Sequence, residues 1–391
     1  MTRVPATVLH FIDSGGLYGA ESVLLNLSRE MQASGRYWPI IGSIVGAPDE
    51  PDALHDKALE LGFAAEKLVV RNGRLPLDLP RAAARLRALG VDLIHSHGYK
   101  PSVFGALMAG RAGAGVTATC HLWYKGDDRP LKMRAMIAAE LRFYRRFRRV
   151  VAVSAPIRDE LVRAGVPAGR IAVIENGVAV GDEAAPPPAA VERIRAELGL
   201  DPACWLLVNT GRLTAQKAQA DLVDAVGLLR AAGRAVQALI VGEGELESEL
   251  KARIARADLE DHVRLLGFRD DVAALLRAAD AFVLPSLDEG MPMSLLEAAA
   301  AGLPAVVTPV GDIPRLIEDR VSGLVVPSGD PAALAAALAG LMDAPDRGRG
   351  WADEARRRVE ETYSNQAMFT RYERIYAEYG DTGPRQGGDA T

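Results

Sequence analysis

Short β-branched runs alternate along this chain with longer alanine- and leucine-rich stretches of helical period. In the first half the runs are "TVLHFI", "PIIGSIVG", "VDLIHSH", "GVTATCHLW", "RVVAVS" and "IAVIENGV", with helix-like stretches such as 21–34, 52–62 and 79–89 between them. After "GDEAAPPPAA", near Gly181, the alternation begins again with "CWLLVNTG", "VQALIVGEG", "VRLLGF", "DAFVLPS", "PAVVTPVG" and "GLVVPSG". Apolar strands separated by helices predict βαβ units and a parallel sheet. Three consecutive prolines cannot continue a strand or a helix, so that segment reads as a linker. The expected class is α/β: two tandem Rossmann-like domains with parallel sheets facing a central cleft.

At 391 residues the chain is long for one core, which agrees with two domains. The pattern places an N-terminal Rossmann-like domain at 1–182 and a second at 183–362. Final helices are expected over 351–362 and 365–379, and the tail "GDTGPRQGGDAT" is expected to lack fixed structure. In open α/β sheets ligands gather at the carboxyl ends of the strands. The turns that follow strands are therefore the places to look for chemistry.

Composition narrows the function classes. Hydrophobic residues are 49% and charged residues 25% of the chain, ordinary for a soluble enzyme. A net charge of -5 argues against a dedicated nucleic-acid binder. Cys120 and Cys204 lie in separate halves, so neither a disulfide framework nor a zinc cluster is expected, and two reduced thiols suit a cytoplasmic protein. "MTRVPATVLHFIDSGG" reads as a first strand, not a signal peptide. No run approaches the roughly 18 apolar residues of a membrane span.

Four glycine turns follow strands. "DSGGLYGAE" (13–21) opens a helix, and Gly15 and Gly16 allow close approach of a ligand to the backbone. "VGEGELESEL" (241–250) carries Gly242 but has a glutamate where a dinucleotide fingerprint needs its third glycine, so a plain turn is an equal reading. "TPVGDIP" is the third. "NTGRLTAQKAQ" is the most informative: Arg212 and Lys217 sit just past a strand end, where two cations suit a diphosphate. Alone they could equally be solvated surface charges. No Walker lysine motif is present.

Taken in order, "SGGLYGAE", "HSHG", "TCHLW", "VAVSAPIRDEL", "VIENGV", "TGRLTAQK", "IVGEGELESEL", "VRLLGF", "LPSLDEGMPMSLLEAAAAGLPAVVT" and "GLVVPSGD" resemble the retaining glycosyltransferases of family 4. The match covers nearly the whole chain. It implies the GT-B fold, with an N-terminal acceptor domain and a C-terminal nucleotide-sugar domain. It also implies a last helix, 363–380, crossing back to the first domain.

Carried over by position, Arg212 and Lys217 correspond to the basic pair on the donor diphosphate. Glu297 corresponds to the glutamate on the ribose hydroxyls, and Glu289 to the one on the donor sugar. Gly16 matches the N-terminal loop whose backbone approaches the phosphates or the acceptor, and His121 matches the histidine near the transferring sugar and β-phosphate; Gly15, Gly16 and Gly242 are expected donor-binding residues. Tyr18, His97, Lys100 and His121 are the expected acceptor-side residues. The catalytic set implied is His121, Arg212, Lys217 and Glu289. The resemblance further implies that the leaving β-phosphate takes the acceptor's proton, so no protein nucleophile is needed. In the family's "GG-x-P-E" this chain has Asp312 and Arg315, and Ala218 stands where a glycine usually follows the lysine.

A departing diphosphate needs positive charge aimed at it. "GDD" (126–128) and "RDD" (269–271) read as solvated or helix-start acids, and no D-x-D metal motif occurs, so metal-independent transfer is expected. Arg212, Lys217 and a helix begun by Pro292 supply the potential instead. Following Gly290 and Met291, the first-turn N–H groups of Met293, Ser294 and Leu295 are expected to face the donor. Glu297 lies deeper in that helix, whereas Glu289 belongs to the preceding loop. His121 could instead be a satisfied core imidazole. His95 and His97 share a strand face and could hold a metal, but no third ligand is evident.

The expected donor is a UDP-sugar ahead of a GDP-sugar, and the acceptor a hydroxyl of a polysaccharide, glycolipid or small glycoside. A glycoside hydrolase would want two carboxylates but no basic pair. A GT-B sugar-nucleotide 2-epimerase would share the two-domain architecture, and so would a catalytically silent nucleotide-sugar binder. In "AELRFYRRFRR" (139–149), Arg142, Arg145, Arg146, Arg148 and Arg149 lie beside Phe143, Tyr144 and Phe147. That segment is either a solvated amphipathic helix or a peripheral contact with anionic lipid on the inner face of a membrane.

Overall fold

The computed structural model describes residues 5–17, 19–71, 73–121, 131–181 and 186–379. It divides into two compact units, one formed by 1–177 with 365–391 and the other by 178–364. The division falls ahead of the proline-rich segment, at Gly177. A Cβ there would meet the Asn365 Cα at 2.9 Å, so only glycine fits beside the returning chain. Within the second unit, Val178 N donates to Tyr363 O at 2.8 Å, which ties its first residue to its C-terminal end. The proline run is not wholly outside regular structure: Pro188 opens the helix Pro188–Glu197, where its missing N–H costs nothing.

The first unit holds seven parallel strands: β1 (Ala6–Ile12), β2 (Tyr37–Val45), β3 (Ala64–Val69), β4 (Leu93–His97), β5 (Gly115–Cys120), β6 (Val150–Ala152) and β7 (Ile171–Val173). Their order is β3-β2-β1-β4-β5-β6-β7. β3 has no counterpart among the runs read from the sequence. It pairs only with β2 at the sheet edge, and Glu66 and Lys67 interrupt its apolar pattern. The helix Asn365–Ala377 belongs to this unit and buries Phe369, Tyr372 and Tyr376.

The second unit has six parallel strands: β8 (Trp205–Thr210), β9 (Val236–Val241), β10 (Val263–Leu265), β11 (Ala281–Leu284), β12 (Ala305–Val307) and β13 (Leu324–Val325). The order is β10-β9-β8-β11-β12-β13. Leu206 and Val208 enter one core and Leu207 the other. Both faces are covered, which is why these strands read as continuous apolar runs.

In each sheet the order reverses between two neighbouring strands, β1 and β4 in the first and β8 and β11 in the second. The loops leaving those strands diverge to opposite faces and open a crevice at their carboxyl ends. No helix among the described residues is long and apolar enough to cross a membrane. Tyr18, "GDD" and the tail from 380 onward lie outside the described residues.

Candidate active site

The crevice of the second unit is built from the loops after β8 and β11. β8 runs into Gly211 and the exposed Arg212, then a short turn of 3-10 helix, Ala215–Lys217. Ala218 follows at φ 48, a left-handed conformation, before the helix Gln219–Ala231. The glycine of the family pattern thus has a physical reason, and this chain places alanine there against the local preference.

The loop is held by its neighbour after β9. Gly211 N donates to Val241 O at 2.9 Å and Leu213 N to Glu243 O at 2.9 Å. A Cβ at Gly242 would stand 2.1 Å from Gly211 O, and one at Gly244 would stand 2.3 Å from Leu213 O. The two glycines of "VGEG" therefore let one backbone press against the other. Gly242 shapes the loop that carries Arg212.

On the other side, the turn after β11 brings Glu289 to Lys217. Lys217 Nζ donates to Glu289 Oε1 at 2.6 Å, and Ser286 Oγ donates to the same oxygen at 2.7 Å. The two charged side chains are 17% and 6% exposed, so their attraction is only partly screened. Ser286 did not figure in the sequence reading. Its signal is its place three residues before Glu289, at the end of an apolar strand. The turn itself is pinned at Gly311, where a Cβ would lie 2.1 Å from Glu289 O. Asp312 N donates to Gly290 O at 2.9 Å, and Arg315 Nη1 lies 3.9 Å from Asp312 Oδ1, so the two unusual residues face each other.

Pro292 precedes the helix Met293–Ala300 in an extended conformation and is not its first helical residue. Its carbonyl accepts from Leu295 N at 3.1 Å. This corrects the expectation for Leu295 and leaves the amides of Met293 and Ser294 as the candidates to face a donor. Glu297 lies in the same helix, between buried Leu296 and Ala298, and burial pushes its carboxyl up to about 7.

In the first unit the loop after β1 is ordered by Ser14, whose Oγ lies 2.8 Å from Gly16 O and 3.0 Å from Glu21 Oε1. Gly16 has φ 154, and a Cβ at Gly15 would meet open space. Lys100, at the start of the helix Tyr99–Ala112, pairs with Asp13 at 2.5 Å.

Beside this loop, β1, β4 and β5 bring four histidines together. His10 Nδ1 is 3.1 Å from His97 Nε2, and His97 Nδ1 is 2.9 Å from His121 Nε2. His10 Nε2 reaches Met31 Sδ at 3.2 Å. His95 contacts Tyr376 OH through Nδ1 and Thr119 Oγ1 through Nε2, both at 2.7 Å. His10 is the third imidazole that the sequence reading lacked, and its signal was a polar residue inside "VLHFI". The ligand atoms of His10, His95 and His97 lie within 4.8 Å of one another. All six ring nitrogens of that trio nevertheless have hydrogen-bonding partners, so an ion would displace bonds already made. Burial lowers His10 to about 3 and His121 to about 4, and drives His95 and His97 down as well. The cluster is a neutral hydrogen-bonded network.

Two other motifs resolve into structural roles. Arg269 grips Asp271 through both oxygens, at 2.8 and 2.6 Å, just before the helix Val272–Ala278. In the arginine-rich segment, Tyr144 and Phe147 are buried in the core. Arg145 donates to Ala164 O at 2.8 Å, Arg149 to Glu378 at 2.8 Å, and Arg148 to the Glu378 carbonyl. The buried rings cannot serve as lipid-facing anchors.

Comparison with known proteins gives this architecture its relatives. Residues 205–344 match the family model for glycosyl transferases group 1, and residues 18–181 that for glycosyltransferase family 4. A D-inositol 3-phosphate glycosyltransferase of Salinispora arenicola is 32% identical over 311 residues, covering 73% of this chain and 68% of the relative. The amylovoran biosynthesis glycosyltransferase AmsK of Erwinia amylovora is 42% identical over 140 residues, 34% of each chain. Among solved structures, Anabaena Alr3699/HepE in complex with UDP superposes with a TM-score of 0.80 at 22% identity, covering 95% of this chain and 100% of that one.

Proposed function

This chain belongs to the group 1, family 4 glycosyltransferases, and from that premise we propose that it moves a sugar from a UDP-sugar to a hydroxyl acceptor with retention and without a metal ion. The observation that carries the reading is the Lys217–Glu289–Ser286 cluster beside Arg212 at the switch point of the second sheet. Support for UDP comes from the Anabaena neighbour, which was solved with UDP, and with UDP and glucose.

In this reading Lys217 and Arg212 meet the diphosphate as point charge and planar fork, and the amides of Met293 and Ser294 add the positive end of their helix. Glu297 accepts the ribose diol. Glu289 keeps one oxygen on Lys217 and turns the other to the sugar hydroxyls. Transfer breaks the bond from C1 to the leaving phosphate oxygen and forms one from C1 to the acceptor oxygen on the same face. The acceptor's proton passes to the leaving phosphate. The cations are strongest where charge develops, so they lower the barrier instead of merely tightening binding.

The proposed setting is synthesis of a polysaccharide, glycolipid or small glycoside; a D-inositol 3-phosphate glycosyltransferase and an amylovoran biosynthesis glycosyltransferase among the relatives support it. We place the protein in the cytoplasm, with contact to anionic lipid confined to the exposed Arg142 and Arg146. A thermal-shift panel of nucleoside diphosphates and nucleotide sugars tests the reading. UDP is expected to raise Tm and Glu297→Ala to abolish the rise; no shift with any nucleotide would overturn it. Activity that is lost in EDTA and restored by Mg²⁺ would overturn the metal-free mechanism.

A further inference from the structure

The imidazoles of the first unit form a chain with a direction. It begins at Met31, whose thioether sulfur can accept a hydrogen bond but has no proton to give. His10 Nε2, 3.2 Å away and fully buried, must therefore carry the ring proton. The opposite tautomer would set a nitrogen lone pair against the sulfur lone pairs in a site closed to water, which is costly.

A neutral imidazole has one N–H, so His10 Nδ1 is an acceptor. His97 Nε2, 3.1 Å from it, must then donate, which leaves His97 Nδ1 as an acceptor. His121 Nε2, 2.9 Å further on, must donate in turn. Burial keeps all three rings neutral, since it lowers the pKa of each. His95 imposes no direction of its own, because Tyr376 OH and Thr119 Oγ1 can each donate or accept.

We propose that Met31 sets the tautomer of His121 through His10 and His97, so that His121 carries its proton on Nε2 and leaves Nδ1 as an acceptor. His10 and His97 are positioning residues. A bare lone pair repels a phosphate oxygen and welcomes an O–H, so the tautomer fixes which chemistry His121 can recognise. The tautomer stands on geometry within the first unit.

The test is long-range ¹H–¹⁵N NMR on the full chain labelled at histidine, recorded without nucleotide, with the His121 signals assigned by their loss in His121→Asn. His10, His97 and His121 are each expected to show a protonated Nε2 and an unprotonated Nδ1. Met31→Leu keeps the apolar bulk but removes the acceptor, and should shift the His121 nitrogens toward a mixture of tautomers. A protonated Nδ1 on His121 in the unaltered protein overturns the proposal, as does a His121 signature unchanged by Met31→Leu.

Discussion

Lys217 and Glu289 are 72 positions apart in sequence and 2.6 Å apart in space, joined by an ammonium–carboxylate hydrogen bond. One residue is expected to face the diphosphate and the other the sugar, so the pair couples the two halves of the donor. Removing either leaves the other as a mostly buried charge without its partner. Lys217→Met should cost roughly tenfold or more in UDP affinity. Glu289→Gln should largely keep UDP binding but lower kcat by about 10²-fold. A double-mutant cycle on kcat/KM should show a coupling of about 1 kcal/mol or more; strict additivity would show the pair to be incidental.

Glu297 is expected to give nucleotide binding a pH dependence. Its carboxyl is raised to about 7 by burial, and in the proposed reading the ribose diol binds its ionised form. Below pH 7 the proton must leave before the ligand binds, so affinity should fall by up to about tenfold per pH unit. Above pH 8 it should level off. Glu297→Gln removes this component, and the ratio of the two proteins' UDP affinities across pH 5.5–8.5 isolates it from ionisation of the nucleotide. A ratio flat in pH would contradict the assignment.

Glu140 is a second buried carboxyl, raised to about 7 by desolvation, with Tyr144 OH donating to it at 2.7 Å. Its folded pKa lies above its unfolded value. The stability it contributes is complete below the unfolded pKa and lost as pH rises through about 7. Glu140→Gln keeps an acceptor for Tyr144 and has no charge to bury. The variant should therefore match the parent near pH 4 and exceed it above pH 8 by roughly 2–3 kcal/mol in denaturant unfolding. Equal stability at pH 8.5 would refute this.

Ala218 stands at φ 48 on the Lys217 loop. Glycine adopts that conformation without the clash that a Cβ brings. Ala218→Gly should raise stability by about 0.5–1 kcal/mol, even after the entropy of a more flexible unfolded chain is counted. Differential scanning calorimetry of both proteins checks the sign; a lower Tm in the variant would show that the loop depends on the methyl group.

Much of the fold was legible because local chemistry and tertiary position agree. Runs such as "WLLVNT" are apolar on both faces since both faces of an interior parallel strand are covered. β3 escaped notice because an edge strand is free to carry Glu66 and Lys67. Pro292 marked the beginning of a helix correctly, but not that its own carbonyl would take the Leu295 amide.

Periodicity, glycine placement and ordered motifs are enough to specify the two sheets, the strand-end turns and the residue types that a diphosphate and a diol require. Which groups meet is settled by the folding of the sheets. Ser286 shares the Glu289 oxygen with Lys217, and Gly242 is glycine because Gly211 lies against it. His10 comes to His97 because β1 and β4, 87 residues apart at these positions, are neighbours in the sheet. Pairings of this kind depend on distances across strands and loops, and linear spacing does not encode them until the chain order of the sheet is fixed.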